Sequence, residues 1–155
     1  MKLSTKGRYA VTALTHITLY AQGSPVSLTD IAAREEISMA YLEQLFGRLR
    51  KAGLVEGIRG PGGGFVLARV PSAIAISDMM QAGDERLEAM QGQDGAGSGC
   101  GGSKTQCLTH NLWEELSANV YLFLKRKTLQ DVADNKMIPC PAVPDFTALM
   151  ENAPP

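Results

Sequence analysis

Three helical segments followed by a glycine-rich hairpin, all within the first 70 of 155 residues, predict a mainly α-helical fold with one small β-hairpin. This order of elements is that of a winged helix-turn-helix, with the hairpin as the wing. A long amphipathic segment near residue 120 predicts a further, C-terminal helix. The composition, 45% hydrophobic and 20% charged, excludes collagen, a coiled-coil rod and a fully disordered chain.

The first two helices are predicted from apolar spacing and from stop signals. Residues 8–21 carry apolar side chains three and four apart, and the Gly-Ser-Pro sequence at 23–25 ends the segment. The Ser-Leu-Thr-Asp sequence at 27–30 resembles a capping box, because the acid follows the serine by three residues. A short helix is therefore expected to run to about Glu35.

The third helix and the hairpin complete the predicted module. Ser38 is a suitable N-cap for a helix over 39–52, and Gly53 stands where a left-handed C-cap is needed. Strand-like runs at 54–58 and 65–68 flank the turn-forming sequence Arg-Gly-Pro-Gly-Gly-Gly. The apolar residues of the third helix share one face: Leu42, Leu45, Phe46 and Leu49.

The rest of the chain is predicted to be helix, polar loop, helix and tail. A weaker helix is expected near 74–82, with 84–90 as its extension, and a long helix over 109–127. Five segments follow: a winged helix-turn-helix domain at 1–72, a connecting helix at 73–90, a cysteine-containing loop at 91–108, a dimerisation helix region at 109–135, and an irregular tail at 136–155.

The charge is unevenly divided along the chain. Residues 1–70 hold nine basic and five acidic residues, a net charge of +4, whereas residues 71–155 carry −5. A basic half suggests a module that binds a polyanion, although halves of this size can also differ by chance. No apolar run approaches the roughly 20 residues of a membrane span, and the N-terminus lacks a signal-peptide pattern, so we expect a cytoplasmic protein without membrane contact.

The third helix is predicted to enter the major groove of double-stranded DNA. Gln44 is suited to hydrogen-bond with adenine, and Glu43 with cytosine. Because the carboxylate of Glu43 repels phosphate, it should also restrict which DNA sites are tolerated. The competing interpretation is an ordinary amphipathic helix with a solvated charged face. Nine further residues are predicted to contact phosphates or a groove. They are Lys6, Arg8, Ser38, Tyr41, Arg48, Arg50, Lys51, Arg59 and Gly60.

A second candidate site lies at the entrance to the long helix. Cys100, Cys107 and His110 form the pattern C-x6-C-x2-H after a glycine-rich stretch. Thiolates favour zinc, copper(I) or iron–sulfur clusters, and this spacing does not choose among them. Two loop cysteines and a helix-capping histidine without metal remain an equal alternative. No C-x-x-C, nucleophile set or nucleotide-binding motif is present, so an enzyme is not expected.

Several motifs together resemble the IscR family of iron–sulfur-cluster-sensing winged-helix transcriptional regulators. They cover the chain nearly continuously to about residue 127. The matching sequences are KGRYAVTA at 6–13, YLEQLF at 41–46, RLRK at 48–51, GLV at 53–55, RGPGGG at 59–64 and CLTH at 107–110.

This resemblance implies a regulator of cluster-assembly genes with a [2Fe–2S] cluster, received from the cluster-assembly machinery. The family uses three cysteines and one histidine, which here implies Cys100, Cys107 and His110. Gly92 stands where the family has its first cysteine, and Cys140 is the remaining thiol. The alternative is a winged-helix repressor that senses nitric oxide, oxidants or zinc through the same thiols.

The resemblance also implies two features of assembly and specificity. The residue matching Glu43 is linked to discrimination between two classes of DNA site. A homodimer is held mainly by the long C-terminal helix, whose apolar residues step three and four apart: Trp113, Leu116, Val120 and Phe123.

Overall fold

A computed structural model describes residues 5–83 and 104–136. The predicted mainly helical fold with a two-stranded hairpin is confirmed. None of the described helices has the length and apolar content that crossing a bilayer requires. The elements in chain order are α1 (Thr5–Tyr20), α2 (Leu28–Glu35), α3 (Met39–Lys51), β1 (Val55–Ile58), β2 (Gly64–Leu67), a short 3-10 helix (Pro71–Ala73), α4 (Ile76–Ala82), α5 (Lys104–Arg126) and α6 (Leu129–Ala133).

The predicted helix caps are present. The Ser27 hydroxyl oxygen accepts a hydrogen bond from the Asp30 backbone N–H at 3.1 Å, which caps α2. The Ser38 hydroxyl does the same for the Tyr41 N–H at the start of α3. Gly53 has φ +69°, the left-handed conformation expected after a helix.

Two helices begin earlier than the apolar spacing predicts. Helix α1 begins at Thr5 rather than at residue 8, so Lys6 and Arg8 lie within its first turns and not before it. Helix α5 begins at Lys104 rather than at 109, which places Cys107 in a helix instead of a loop. Both added turns are largely polar, and apolar periodicity cannot mark a helical turn that has no apolar face.

One hydrophobic core joins most of these helices. The four apolar residues predicted on one face of α3 are at most 1% exposed. They belong to the same cluster as Leu14 and Ile17 of α1 and Met79 of α4. Leu129 of α6 is fully buried in this cluster too, so the chain returns to the N-terminal module after α5.

The C-terminal end of α5 is joined to that module by backbone hydrogen bonds. The Ile76 N–H donates to the Lys127 carbonyl and the Leu129 N–H donates to the Ile74 carbonyl, each at 2.9 Å. Thr128 and Asp131 form a complete capping box at the start of α6. The hydrogen bonds from Thr128 to the carboxylate, followed by the charges of Lys127 and Lys136, lower the pKa of Asp131.

The hairpin is an antiparallel pair in which Val55 lies opposite Leu67 and Ile58 lies opposite Gly64. Val26 and Phe65 exchange backbone hydrogen bonds of 3.0 and 2.8 Å, which attach the hairpin to the start of α2. A Cβ atom at Gly64 would lie 2.4 Å from the Val26 carbonyl oxygen, so only glycine allows this approach.

Candidate nucleic-acid interface

Helix α3 presents a polar side to solvent opposite its buried apolar face. Glu43 and Gln44, the predicted base contacts, are both exposed. Arg50 and Lys51 are exposed in the last turn, and Arg48 is half-buried. Side chains that can bond to base edges thus precede three cations along the helix, which suits a helix that enters a groove lined by phosphates.

The N-terminal turns of α1 lie beside the start of α3. The Tyr9 and Tyr41 rings make an edge-to-face contact with 5.5 Å between centroids. This contact joins the turn that carries Lys6 and Arg8, both exposed, to the first turn of α3. Tyr41, predicted as a phosphate contact, is half-buried and packs against the core, so its ring also positions the helix.

The hairpin tip forms the third part of the interface. Arg59 and Gly60 are exposed at the end of β1. Gly60 has φ +107° and Gly62 has φ +75°, both in the left-handed region that favours glycine. The Gly63 N–H donates to the Gly60 carbonyl at 2.9 Å, which closes the turn. A tight turn without side chains beyond Pro61 allows the backbone and the Arg59 guanidinium to approach a groove closely.

One polar pair joins α1 to α2 and was not predicted from the sequence. His16 of α1 is 2% exposed, and its Nδ1 lies 2.7 Å from Oε1 of Glu35. The two residues are 19 apart in sequence, so no local pattern predicts that they meet. A histidine on the buried side of α1 and an acid at the end of α2 were the available signals.

Only two of the three predicted metal ligands lie among the residues that the structure describes. Cys107 and His110 lie three residues apart in α5. Cys100, Gly92 and Cys140 lie outside the described residues, as do the rest of the predicted loop before 104 and the tail after 136. Within residues 5–83 and 104–136, no group of three or more His, Cys, Asp or Glu residues is arranged to hold a metal ion.

Helix α5 leaves a row of large apolar side chains exposed. Trp113 is 40% exposed, Leu116 38% and Phe123 57%, while Val120 is half-buried. Leu112 adds a further exposed apolar side chain one turn before Leu116. An apolar patch of this kind on a soluble domain typically marks a protein interface.

Comparisons with known proteins agree with this geometry. The profile of the Rrf2 family, described as an iron-dependent transcriptional regulator, matches residues 3–135. The chain is 52% identical to the HTH-type transcriptional regulator IscR of Cereibacter sphaeroides, over 93% of this chain and 94% of that protein. It is 48% identical to the IscR of Yersinia pseudotuberculosis, over 89% of this chain and 82% of that protein.

Solved structures give the same result. The structure of CymR, the global cysteine regulator of B. subtilis, matches with a TM-score of 0.71 at 32% identity, over 87% of this chain and 98% of that one. The T. potens IscR structure matches with a TM-score of 0.68 at 32% identity, over 92% and 95%. These relatives are transcriptional regulators and not enzymes. The chain therefore belongs to the Rrf2 family and is a DNA-binding transcription regulator of the IscR type.

Proposed function

We propose that this protein is a homodimeric regulator of iron–sulfur-cluster assembly genes that senses a [2Fe–2S] cluster. The observation that carries the proposal is the 52% identity to an IscR over 93% of the chain. Each of five segments has one role in this proposal. Residues 1–72 bind DNA, 73–90 connect, 91–108 bind the cluster, 109–135 dimerise and 136–155 form the tail.

In this proposal each protomer contacts one half of a two-fold operator. The exposed side of α3 lies in the major groove, with Gln44 and Glu43 at base edges. The wing, through Arg59 and Gly60, lies against the adjacent minor groove. The remaining contacts are to phosphates or flanking backbone, from residues around this surface: Lys6, Arg8, Ser38, Tyr41, Arg48, Arg50 and Lys51.

The second protomer covers the apolar row of α5. The exposed Trp113, Leu116 and Phe123, with Val120, form a self-complementary surface when two copies pair about a two-fold axis. Backbone hydrogen bonds around Thr128 fix the end of α5 to the start of α4, which packs in the same core as α3. Because of that attachment, the pairing of two α5 helices sets the distance between two copies of α3.

The cluster is held by Cys100, Cys107 and His110. Two thiolates and an imidazole are donors that suit a [2Fe–2S] cluster. The presence of such a cluster depends on cellular iron and sulfide. Cys107 and His110 occupy neighbouring positions on α5 because residues three apart share a side of a helix. Gly92 has no donor atom, so a fourth protein ligand must come from elsewhere, with Cys140 as the remaining thiol.

A specific observation favours a second candidate function. Since Gly92 removes one expected ligand, the same thiols suit a repressor that responds to nitric oxide, oxidants or zinc. Zinc favours four ligands and accepts thiolate and imidazole together. Only the chemical identity of the bound group separates this candidate from the cluster sensor.

Anaerobic reconstitution with iron and sulfide tests the cluster. We expect near-stoichiometric iron and acid-labile sulfide per monomer, with thiolate-to-iron absorption in the visible spectrum. Cys107→Ser is expected to abolish both. Cys140→Ser is the matched variant that decides whether the tail thiol is a ligand. Zinc binding without sulfide uptake would reject the cluster and support the second candidate.

DNA binding is tested with duplexes enriched from a random library by the protein itself. We expect affinity that falls steeply with salt, because cations are released from the phosphates. Comparing cluster-loaded and cluster-free protein on each enriched duplex tests the sensing step. Identical affinities of the two forms for every duplex would contradict cluster control while leaving DNA binding intact.

A further inference from the structure

Helix α2, the first helix of the helix-turn-helix, packs on the core through three apolar side chains, Leu28, Ile31 and Ala32. Of these, only Ile31 is fully buried. The N-terminal end of α2 follows Val26, which is bonded to β2 on both backbone groups. Among the described residues no comparable backbone hydrogen bond holds its C-terminal end, and its last residue, Glu35, contacts His16 of α1. The position of that end therefore depends strongly on side chains.

Four side chains form a contiguous polar cluster at this end, which we call the α1–α2 clamp. Glu35 accepts a hydrogen bond from the buried His16 ring, since a carboxylate can only accept and Nδ1 is 2.7 Å away. The His16 ring lies against the Tyr20 ring, with 4.6 Å between centroids. The Arg34 guanidinium lies over the Tyr20 ring, 4.7 Å from its centroid.

The clamp is arranged as two pairs that face each other. His16 and Tyr20 are one turn apart on α1, and Arg34 and Glu35 are consecutive at the end of α2. Each residue of one helix contacts a residue of the other. The hydrogen bond to the Glu35 carboxylate is part-buried, and a hydrogen bond to a charged group is more directional than apolar packing, so this contact restricts how α2 can pivot.

Three residues, 36–38, separate the clamp from α3, the recognition helix. Glu36 follows directly, with φ +54°, a left-handed conformation that is strained for a residue other than glycine. Ser38 then caps α3. Residues near the N-terminus of a recognition helix contact base edges, so a displaced turn moves Gln44 and Glu43 relative to the bases.

We propose that His16 and Glu35 are positioning residues for sequence-specific DNA binding. Their hydrogen bond holds the end of α2 and the strained turn after it, and thereby fixes the approach of α3 to the duplex. The role is distinct from phosphate binding, because His16 is buried and the carboxylate of Glu35 would repel a phosphate. It rests on DNA binding alone and does not depend on the cluster.

The test compares two dissociation constants for each variant, one for the enriched duplex and one for a scrambled duplex. Glu35→Ala and His16→Leu each remove the hydrogen bond, and we expect on the order of tenfold loss in the ratio of the two constants. The double variant is expected to lose no more than either single variant, because both remove the same contact. Glu35→Gln keeps an acceptor oxygen and is expected to retain the ratio within about threefold.

A stability control separates positioning from general loss of folding. Val132→Ala truncates a side chain of α6 that packs on the core and is not one of the four clamp residues. We expect it to lower the Tm while leaving the binding ratio unchanged. If His16→Leu fails to fold, Glu35→Ala still decides the question, since the Glu35 side chain is 27% exposed. An unchanged ratio in folded Glu35→Ala protein, or an equal loss in Val132→Ala, would overturn the proposal.

Discussion

Helices α3 and α5 are both amphipathic, yet their apolar faces end in different surroundings. The apolar residues of α3 are at most 1% exposed within the protomer. The apolar row of α5 includes Leu116 at 38% and Phe123 at 57% exposure. Spacing of three and four residues thus predicts that a face will be covered, but not by which chain. The apolar face of α3 belongs to the core, whereas the proposal that a second copy covers the apolar row of α5 is tested by the following predictions.

The largest effect is expected in the core. Leu45→Ala is predicted to lower the free energy of unfolding by about 2–5 kcal/mol, because it leaves a cavity under α3. Leu116→Ala in α5 should cost about 0.5 kcal/mol or less in dilute protein, where no partner covers it. Thermal unfolding at several protein concentrations checks both. Wild-type Tm should rise with concentration, and Leu116→Ala should reduce that rise.

The next effect concerns assembly. Leu116→Glu places a charge in the proposed dimer contact, and we expect monomers with at least about 100-fold weaker operator binding, since two half-sites are no longer engaged together. Ala118→Glu adds the same charge at an exposed position of α5 outside the apolar row. In sedimentation velocity and DNA titration, the Ala118→Glu control should behave as the wild-type protein does. A dimeric Leu116→Glu protein would place the interface elsewhere.

A smaller effect is expected on the polar side of α3. Gln44→Ala should weaken binding to the enriched duplex by about 1–3 kcal/mol and relax preference at one base pair. Gln81→Ala removes another exposed amide, from α4, and serves as the control. Binding to a set of single-base variants of the duplex measures both. Equal affinities for Gln44→Ala and wild type on all duplexes would remove this residue from base contact.

The smallest effect concerns the junction where α5 joins the core. Hydrogen bonds from Thr128 lower the pKa of Asp131 below its ordinary value of 3.8 in the folded protein. The ionised carboxylate therefore contributes stability above the unfolded pKa, and that contribution is lost as the pH falls through the folded pKa. Asp131→Asn should have a lower Tm than wild type near neutral pH. The difference should shrink below about pH 4.

Much of the N-terminal module could be predicted because its signals are local. The caps at Ser27 and Ser38, the apolar face of α3 and the glycine-rich turn all depend on neighbours in sequence. The His16–Glu35 pair could not be predicted, since it joins residues far apart through tertiary packing. The early starts of α1 and α5 were missed because their first turns are polar. The assignments of Arg59 and the other DNA contacts remain predictions.

We propose that α3 contacts DNA while α5 contacts a second copy of the chain. Sedimentation of the protein on one enriched duplex, combined with hydroxyl-radical footprinting, tests both parts at once. We expect two chains per duplex and two protected regions related by two-fold symmetry, about 10–10.5 base pairs or a multiple of that distance apart. One chain per duplex with a single protected region at saturating protein would contradict this proposal.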